Sequence, residues 1–216
     1  MAVMHFLQGT YSGKLGDTVG AGWKGQKTIR TMPISVHDKK SDSQIGVRNG
    51  FTVISKIASA VNELWLKTYF ANVKKMSPYN LVLKNNKAFF AQKPLDPAVI
   101  QLPQSYLGAP TPPSVAPTVS GSTVTLSMPA AAELSQGTVT EYIVAVFQQI
   151  ISTDDAGVER FSGECMAKKV TASSSAVEVT ITLPIVPASG DKLYVYTQAG
   201  DGKKTNYSSV ATITVS

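Results

Sequence analysis

Residues 177–183 read Val177-Glu-Val-Thr-Ile-Thr-Leu183, and this alternation of apolar and polar side chains indicates the fold of the carboxy-terminal half. Successive side chains of a strand point to opposite faces of a sheet, so one face here is buried and the other faces water. Residues 122–128 alternate in the same way. Segments of this kind, bounded by Gly, Pro, Ser or Asp, predict seven strands, at 115–119, 122–128, 139–149, 158–169, 176–183, 192–199 and 207–215. The pattern predicts an all-β sandwich over residues 114–216.

The last two of these segments carry a resemblance. The run Leu193-Tyr194-Val195-Tyr196, followed by Gly200-Asp201-Gly202 and Tyr207-Ser208-Ser209-Val210, resembles the last hairpin of fibronectin type III and related immunoglobulin-like domains. The resemblance implies an immunoglobulin-like sandwich of about seven strands, with Tyr194 as its tyrosine-corner residue. Cys165 is the single cysteine, so the disulfide of antibody domains is missing and the resemblance is to the broader class of sandwiches.

Charge and proline divide the chain. Residues 1–100 carry 14 Lys/Arg and 5 Asp/Glu, a net charge of +9, whereas residues 101–216 carry 6 and 9, a net charge of −3. Seven prolines lie between positions 94 and 117, and proline both fixes φ and removes a backbone donor. We therefore expect a basic module at 1–93, an extended connector at 94–113 and the sandwich at 114–216.

The first 30 residues are rich in glycine, with glycines at positions 9, 13, 16, 20, 22 and 25. Each would cost a helix roughly 1 kcal/mol relative to alanine, so tight hairpins or an extended arm are expected, with β-prone pieces at 18–19 and 27–30. Residues 20–25 match the pattern G-x-G-x-x-G formally. That fingerprint needs a buried strand before it and a helix after it, and neither is indicated here, so we reject a nucleotide site.

The best helix pattern of the chain follows. Ser41 and Gln44 have the spacing of a capping box, and a stripe recurs every three or four residues. Its members are Val47, Phe51, Ile54, Ala58, Val61 and Trp65, widened by Ile57 and Leu64. We expect this stripe to face a core, with an oligomerisation seam as the alternative. A second helix is expected to begin at Ser77-Pro78 and run towards Phe89-Phe90. Together these patterns predict an α+β amino-terminal module, made of a glycine-rich β arm and two helices.

The same region is similar to an uncharacterised family of small proteins from Bacteroidota and from their bacteriophages or prophages. The similarity covers about residues 9–90. It is carried by the order Trp23-Lys24-Gly25, then Ile29-Arg30, then Gln44-x-x-x-Arg48-x-x-Phe51. The resemblance implies no catalytic residue, but it favours a phage-derived structural role. It makes Trp23, Lys24, Arg30, Gln44, Arg48 and Phe51 the candidate residues for assembly and partner binding.

Patterns that would indicate chemistry are weak. His5 and His37 have no ligand partners at metal-site spacing, and Asp154-Asp155 indicates a turn rather than a calcium site. Cys165 has no histidine nearby in sequence, so a buried inert thiol is expected rather than a nucleophile. We therefore predict that the protein is not an enzyme and uses no cofactor or metal.

We thus predict a virion protein of a phage head, neck or tail, assembled in the host cytoplasm, with homo-oligomeric and other virion contacts. The alternative is a cytoplasmic nucleic-acid-binding protein that uses Lys24, Lys27 and Arg30. A third class, a glycan-binding adhesin, rests only on the sandwich. No window of about 18 apolar residues exists, so no membrane partner is expected.

Overall fold

A computed structural model describes residues 3–5, 10–23, 26–32, 41–73, 76–91, 94–104, 117–130, 139–155, 157–203, 205 and 210–215. The chain forms two compact units, Met1–Lys40 and Ser41–Ser216. The fold is mixed α+β, with a few helices and mostly antiparallel sheets.

The first unit is an antiparallel sheet of four consecutive strands, β1 (Val3–His5), β2 (Thr10–Leu15), β3 (Thr18–Trp23) and β4 (Gln26–Thr31). Gly16 has φ of 56° in the two-residue turn between β2 and β3, a conformation that glycine adopts without strain. The glycine-rich segment therefore forms hairpins, as its sequence predicts. A strand rather than a helix follows residues 20–25, which agrees with rejecting a nucleotide fingerprint there.

The helices of the second unit are α1 (Asp42–Val61), a π-helical turn (Asn62–Leu66), α2 (Lys67–Phe70) and α3 (Pro78–Asn85). Two 3₁₀ turns follow, at Lys87–Ala91 and Pro97–Val99. Both predicted helix starts are confirmed. Ser41 and Gln44 form the reciprocal bonds of a capping box, and the Ser77 hydroxyl accepts from the Asn80 amide ahead of Pro78.

Two sheets complete this unit, and each predicted strand overlaps an observed one. The strands are β5 (Thr118–Ser120), β6 (Thr123–Met128), β7 (Glu141–Thr153), β8 (Glu159–Thr171), β9 (Val177–Thr182), β10 (Lys192–Gly200) and β11 (Ala211–Thr214). One sheet has the order β5-β6-β9 and the other has the order β11-β10-β7-β8. All pairings are antiparallel, and β7 pairs with β8 over 13 residues.

The central strands of the four-stranded sheet, β7 and β10, are buried on both faces. One core cluster joins its residues Tyr142, Val144 and Leu193 to β6 and β9 of the other sheet. The other cluster joins the opposite face, represented by Phe147 and Tyr196, to α1 and α2. Alternate residues of a strand point to opposite faces, so the unbroken apolar run of β7 supplies both clusters. Helices, large sheet and small sheet therefore form three packed layers.

This arrangement differs from the predicted division at residues 94–113. The boundary between compact units lies at residue 40, and the helices share a core with the four-stranded sheet. Residues 94–104 are also not a free connector. The Tyr196 hydroxyl donates to the Pro97 carbonyl at 2.7 Å, and Gln198 Nε2 donates to the Pro103 carbonyl at 3.0 Å. Proline allows only a short 3₁₀ turn at Pro97–Val99 here, and it does not prevent the remaining backbone from packing on a sheet. Residues 105–113 lie outside the described part of the chain.

Candidate assembly surface

One side of the first half of α1 carries exposed residues that belong to neither hydrophobic core. We call Gln44, Val47, Arg48 and Phe51 the α1 outer face, since positions three and four apart lie together on a helix. Val47 is 50% exposed and Phe51 is 51% exposed, and Gln44 and Arg48 are also exposed. The structure therefore brings together three of the candidate partner-binding residues, Gln44, Arg48 and Phe51.

The apolar stripe predicted for α1 is wrong at three positions. Ile54, Ile57, Ala58, Val61 and Trp65 are buried as expected, but Val47, Phe51 and Leu64 are exposed. The first half of the helix instead buries a face that includes Ile45, Asn49 and Val53. Beyond residue 61 the π-helical turn changes the residue spacing, which turns Trp65 and Leu66 inward and Leu64 outward.

Two polar contacts fix α1 against β8. The Asn49 side chain donates to the Glu159 carbonyl at 3.2 Å, and Lys56 pairs with Glu164 at 2.9 Å. Both contacts come from the side of the helix that faces the sheet. In this orientation of the helix, Val47 and Phe51 are exposed to solvent.

Gln44 already has a structural role. The side-chain Oε1 of Gln44 accepts from the Ser41 backbone amide at 3.1 Å. The backbone amide of Gln44 donates to the Ser41 hydroxyl at 3.4 Å. The capping box thus accounts for a glutamine at this position without any partner. Val47, Arg48 and Phe51 are the members of the α1 outer face that capping does not explain.

The remaining candidates lie in the first unit. Arg30 is exposed on β4 and is paired in register with Val19, which in turn pairs with Lys14. Residues directly opposite one another in a sheet share a face, so Lys14 and Arg30 form a basic row. Trp23 is the last residue of β3 and Lys27 lies in β4, but the structure does not describe their side chains. Lys24 lies outside the described residues.

A hydrogen-bonded cluster that the sequence did not suggest joins α2 to the sheet. The Tyr69 hydroxyl donates to Glu141 at 2.6 Å and accepts from the Gly202 amide, and Lys169 pairs with Glu141 at 2.6 Å. Burial, together with the hydrogen bond to Glu141, raises the pKa of Tyr69 well above its usual value. A Cβ at Gly200 would collide with the Tyr69 hydroxyl, so this position requires glycine. The i, i+4 spacing of Trp65 and Tyr69, whose ring centroids are 4.3 Å apart, is the sequence signal that could have indicated the cluster.

Tyr194 does not make a tyrosine corner. Its hydroxyl donates to the side-chain Oε1 of Gln149 at 3.1 Å, whereas a tyrosine corner bonds to backbone a few residues upstream. Three tyrosines of this unit instead anchor separate neighbours, since Tyr142 donates to the Pro129 carbonyl and Tyr196 to that of Pro97. The hairpin sequence alone did not determine which tyrosine bonds to which group.

The remaining chemical candidates behave as structural groups. Cys165 is only partly buried, and desolvation of its thiol, with a further contribution from neighbouring Glu164, raises the pKa of the thiol. Asp154 organises the β7–β8 turn, because it accepts from the Val158 amide and from two nitrogens of Arg160. Among the described residues, no group of three or more His, Cys, Asp or Glu is placed to hold a metal ion.

Comparison with family models and with curated proteins found no match to this chain. Within the described ranges, none of the helices combines the length and the apolar character needed to cross a bilayer.

Proposed function

We propose that this protein is a non-enzymatic assembly protein, a bacteriophage virion component of the head, neck or tail that acts through protein–protein contacts. The α1 outer face carries the proposal. A half-exposed phenylalanine beside a half-exposed valine, next to an arginine, has the composition of an interface core, in which aromatic residues and arginine are enriched. The resemblance of the Gln44…Arg48…Phe51 order to phage and prophage proteins points to the same face.

The binding free energy that burial of the α1 outer face can supply is small, which is compatible with an interface repeated many times in one particle. Full burial of a valine or phenylalanine side chain contributes about 1.5–3 kcal/mol, so completing the burial of both half-exposed side chains contributes roughly 2 kcal/mol per copy. A single contact of that strength would be weak. In a particle each subunit makes several contacts at once, and the effective concentration of neighbours then raises the total affinity.

The sheet order supports an immunoglobulin-like assignment for the sandwich. Its first, second and fifth strands form one sheet, and its third, fourth, sixth and seventh strands form the other. This matches a C-F-G sheet extended by a neighbouring C′ strand, the variation by which immunoglobulin-like sandwiches differ. In the proposed virion role, α1 lies on one face of the four-stranded sheet, and the β5-β6-β9 sheet covers the other and faces outward from the assembly.

Gel filtration with light scattering and electron microscopy of the purified protein tests the proposal. We expect a homo-oligomer, or particles formed with other virion proteins, that the paired change Val47→Ser and Phe51→Ser weakens at least tenfold. The matched control is Ile185→Ser with Val186→Ser, a second exposed apolar pair at 46% and 65% exposure, which should assemble normally. A strict monomer that never enters an assembly would overturn the proposal.

The second candidate is nucleic-acid binding through the basic row of the first unit, favoured by the register that aligns Lys14 with Arg30. It predicts retention on DNA that falls steeply with salt, because each neutralised phosphate releases a counterion. Changing Lys24, Lys27 and Arg30 together to alanine should weaken that retention. Absence of binding to DNA or heparin at low salt would eliminate this candidate.

A further inference from the structure

A cavity of about 590 Å³ opens at one end of the four-stranded sheet, and its lining includes no residue of the α1 outer face. Its walls come from the segment 94–96, from β7 and β8 near their shared turn, and from the start of β10. Leu95, Phe161 and the ring of Tyr194 give it an apolar lining. The volume lies within the range of small-ligand sites, about 300–1,000 Å³.

Polar groups converge on this apolar lining. Three carboxyl groups line the cavity, those of Asp96, Glu159 and Asp191, against one amine, that of Lys192. Asp96 and Asp191 each use one oxygen to accept a backbone amide, from Ala98 and Ala188. These bonds hold both carboxylates in place and leave a second oxygen on each for another donor.

A glutamine in the lining adds a hydrogen-bond donor. Gln149 is 8% exposed and lines the cavity. Its Oε1 accepts from Tyr194, and its Nε2 donates no hydrogen bond within the described part of the chain. Gln149 Nε2 is not among the fully buried polar atoms that lack a partner, so solvent in the cavity reaches it, and it can donate to an acceptor on a ligand in place of water.

The charged residues in the cavity lining are three acidic residues and one lysine, so their net charge is negative. Burial raises the pKa of Tyr194 to about 12, and the negative charge of Asp96 contributes to that rise. The same charge that opposes ionisation of the tyrosine attracts a cation. An apolar stem would pack against Leu95 and Phe161 while a cationic end group meets the carboxylates, in the manner of lysine and arginine side chains at protein surfaces.

We propose that this cavity binds an alkyl guanidinium or ammonium group, with the Asp96, Glu159 and Asp191 carboxylates holding the cation and the Gln149 amide donating to a carbonyl next to it. The group is an arginine or lysine side chain within a polypeptide or a free cationic amino acid. A free amino acid differs from a residue within a polypeptide by its charged α-carboxylate and α-ammonium groups, so comparing the two kinds of ligand distinguishes the sources. The site is separate from the α1 outer face and does not depend on the proposed virion role.

The test is a titration of the full-length protein followed by NMR, observing the side-chain NH₂ signals of Gln149. Nα-acetyl-arginine amide should give saturable shifts that weaken with salt. Nα-acetyl-citrulline amide, which has nearly the same shape without the charge, should bind at least tenfold more weakly, and so should free arginine if the natural source is a polypeptide. Equal binding of arginine and its acetyl amide would instead indicate the free amino acid as the source.

Two variants that change the charge of the cavity in opposite directions should change the affinity in opposite directions. Glu159→Gln should lower the affinity about threefold or more, whereas Lys192→Gln should raise it, because an exposed charge pair contributes up to roughly 1 kcal/mol. Glu178→Gln, an exposed acidic residue on β9 outside the cavity, is the matched control and should leave the affinity unchanged. The proposal is overturned if no saturable shift occurs, if citrulline binds as well as arginine, or if Glu159→Gln and Lys192→Gln change affinity in the same direction.

Discussion

Tyr69 connects the helices to the sheet through a single hydroxyl group. Replacing it by phenylalanine removes the bond to Glu141 and leaves the Gly202 amide without its acceptor. A hydrogen bond to a charged group contributes about 1.5–3 kcal/mol, so Tyr69→Phe should lower the free energy of unfolding by about 2 kcal/mol in a urea titration. Tyr79→Phe, at a half-buried position on α3, is the control and should change it by less than about 0.5 kcal/mol. Equal effects of the two changes would contradict the role given to Tyr69.

Tyr194 makes stability depend on alkaline pH. Its pKa is raised to about 12 in the folded protein from a usual value of about 10, so folding favours the protonated phenol. This contribution is fully present below pH 10 and is lost as the pH rises from about 10 to about 12. Melting temperatures measured between pH 9 and pH 12 should therefore fall, with a part of the decline coming from Tyr69, whose pKa is also raised. Tyr194→Phe should make the decline shallower, and an unchanged slope would contradict the assignment.

At the scale of single residues, sequence reasoning found some roles and missed others. Ser41, Gln44 and Ser77 were predicted correctly because capping depends only on residues within one turn. Tyr69, Glu141 and Lys169 were missed because they are far apart in the chain and meet only in the folded protein. Tyr194 was recognised as significant, but its partner Gln149 lies 45 residues away and could not be identified from the hairpin itself.

At the scale of elements, the start of α1 offers a direct test. Ser41→Ala removes the side-chain acceptor for the Gln44 amide and should lower the free energy of unfolding by about 1 kcal/mol. Ser43→Ala, two residues further along and exposed, should be neutral or slightly stabilising, because alanine favours helix. Chemical denaturation monitored by circular dichroism measures both changes. If Ser43→Ala proves as costly as Ser41→Ala, the capping box does not stabilise the helix start.

Strands were easier to predict than helix faces. Each of the seven predicted strand segments overlaps an observed strand, because a period of two is a local property of the sequence. The buried side of α1 depends instead on which surfaces the sheet offers. The stripe from Val47 to Trp65 predicted the helix correctly, yet Val47 and Phe51 are exposed and the first half of the helix buries Asn49 and Val53 instead.

For the whole molecule, the sequence reasoning placed the main boundary wrongly. The change of charge and the prolines suggested a division near residue 100, but the boundary between compact units is at residue 40. The reason lies in β7 and β10, whose residues 142–149 and 193–200 are all buried. Such strands have no solvent-facing side, so the sandwich needs a further layer, and the helices provide it.

Thermal unfolding of two fragments, 41–216 and 114–216, tests this shared core most directly. Residues 41–216 should unfold in one cooperative transition, because helices and sheets share a core. Residues 114–216 alone would expose Ile143, Ala145, Phe147 and Tyr196 on the sheet surface, so this fragment should aggregate or lack a cooperative transition. A soluble monomeric 114–216 that unfolds cooperatively, with the same midpoint as 41–216, would contradict the account.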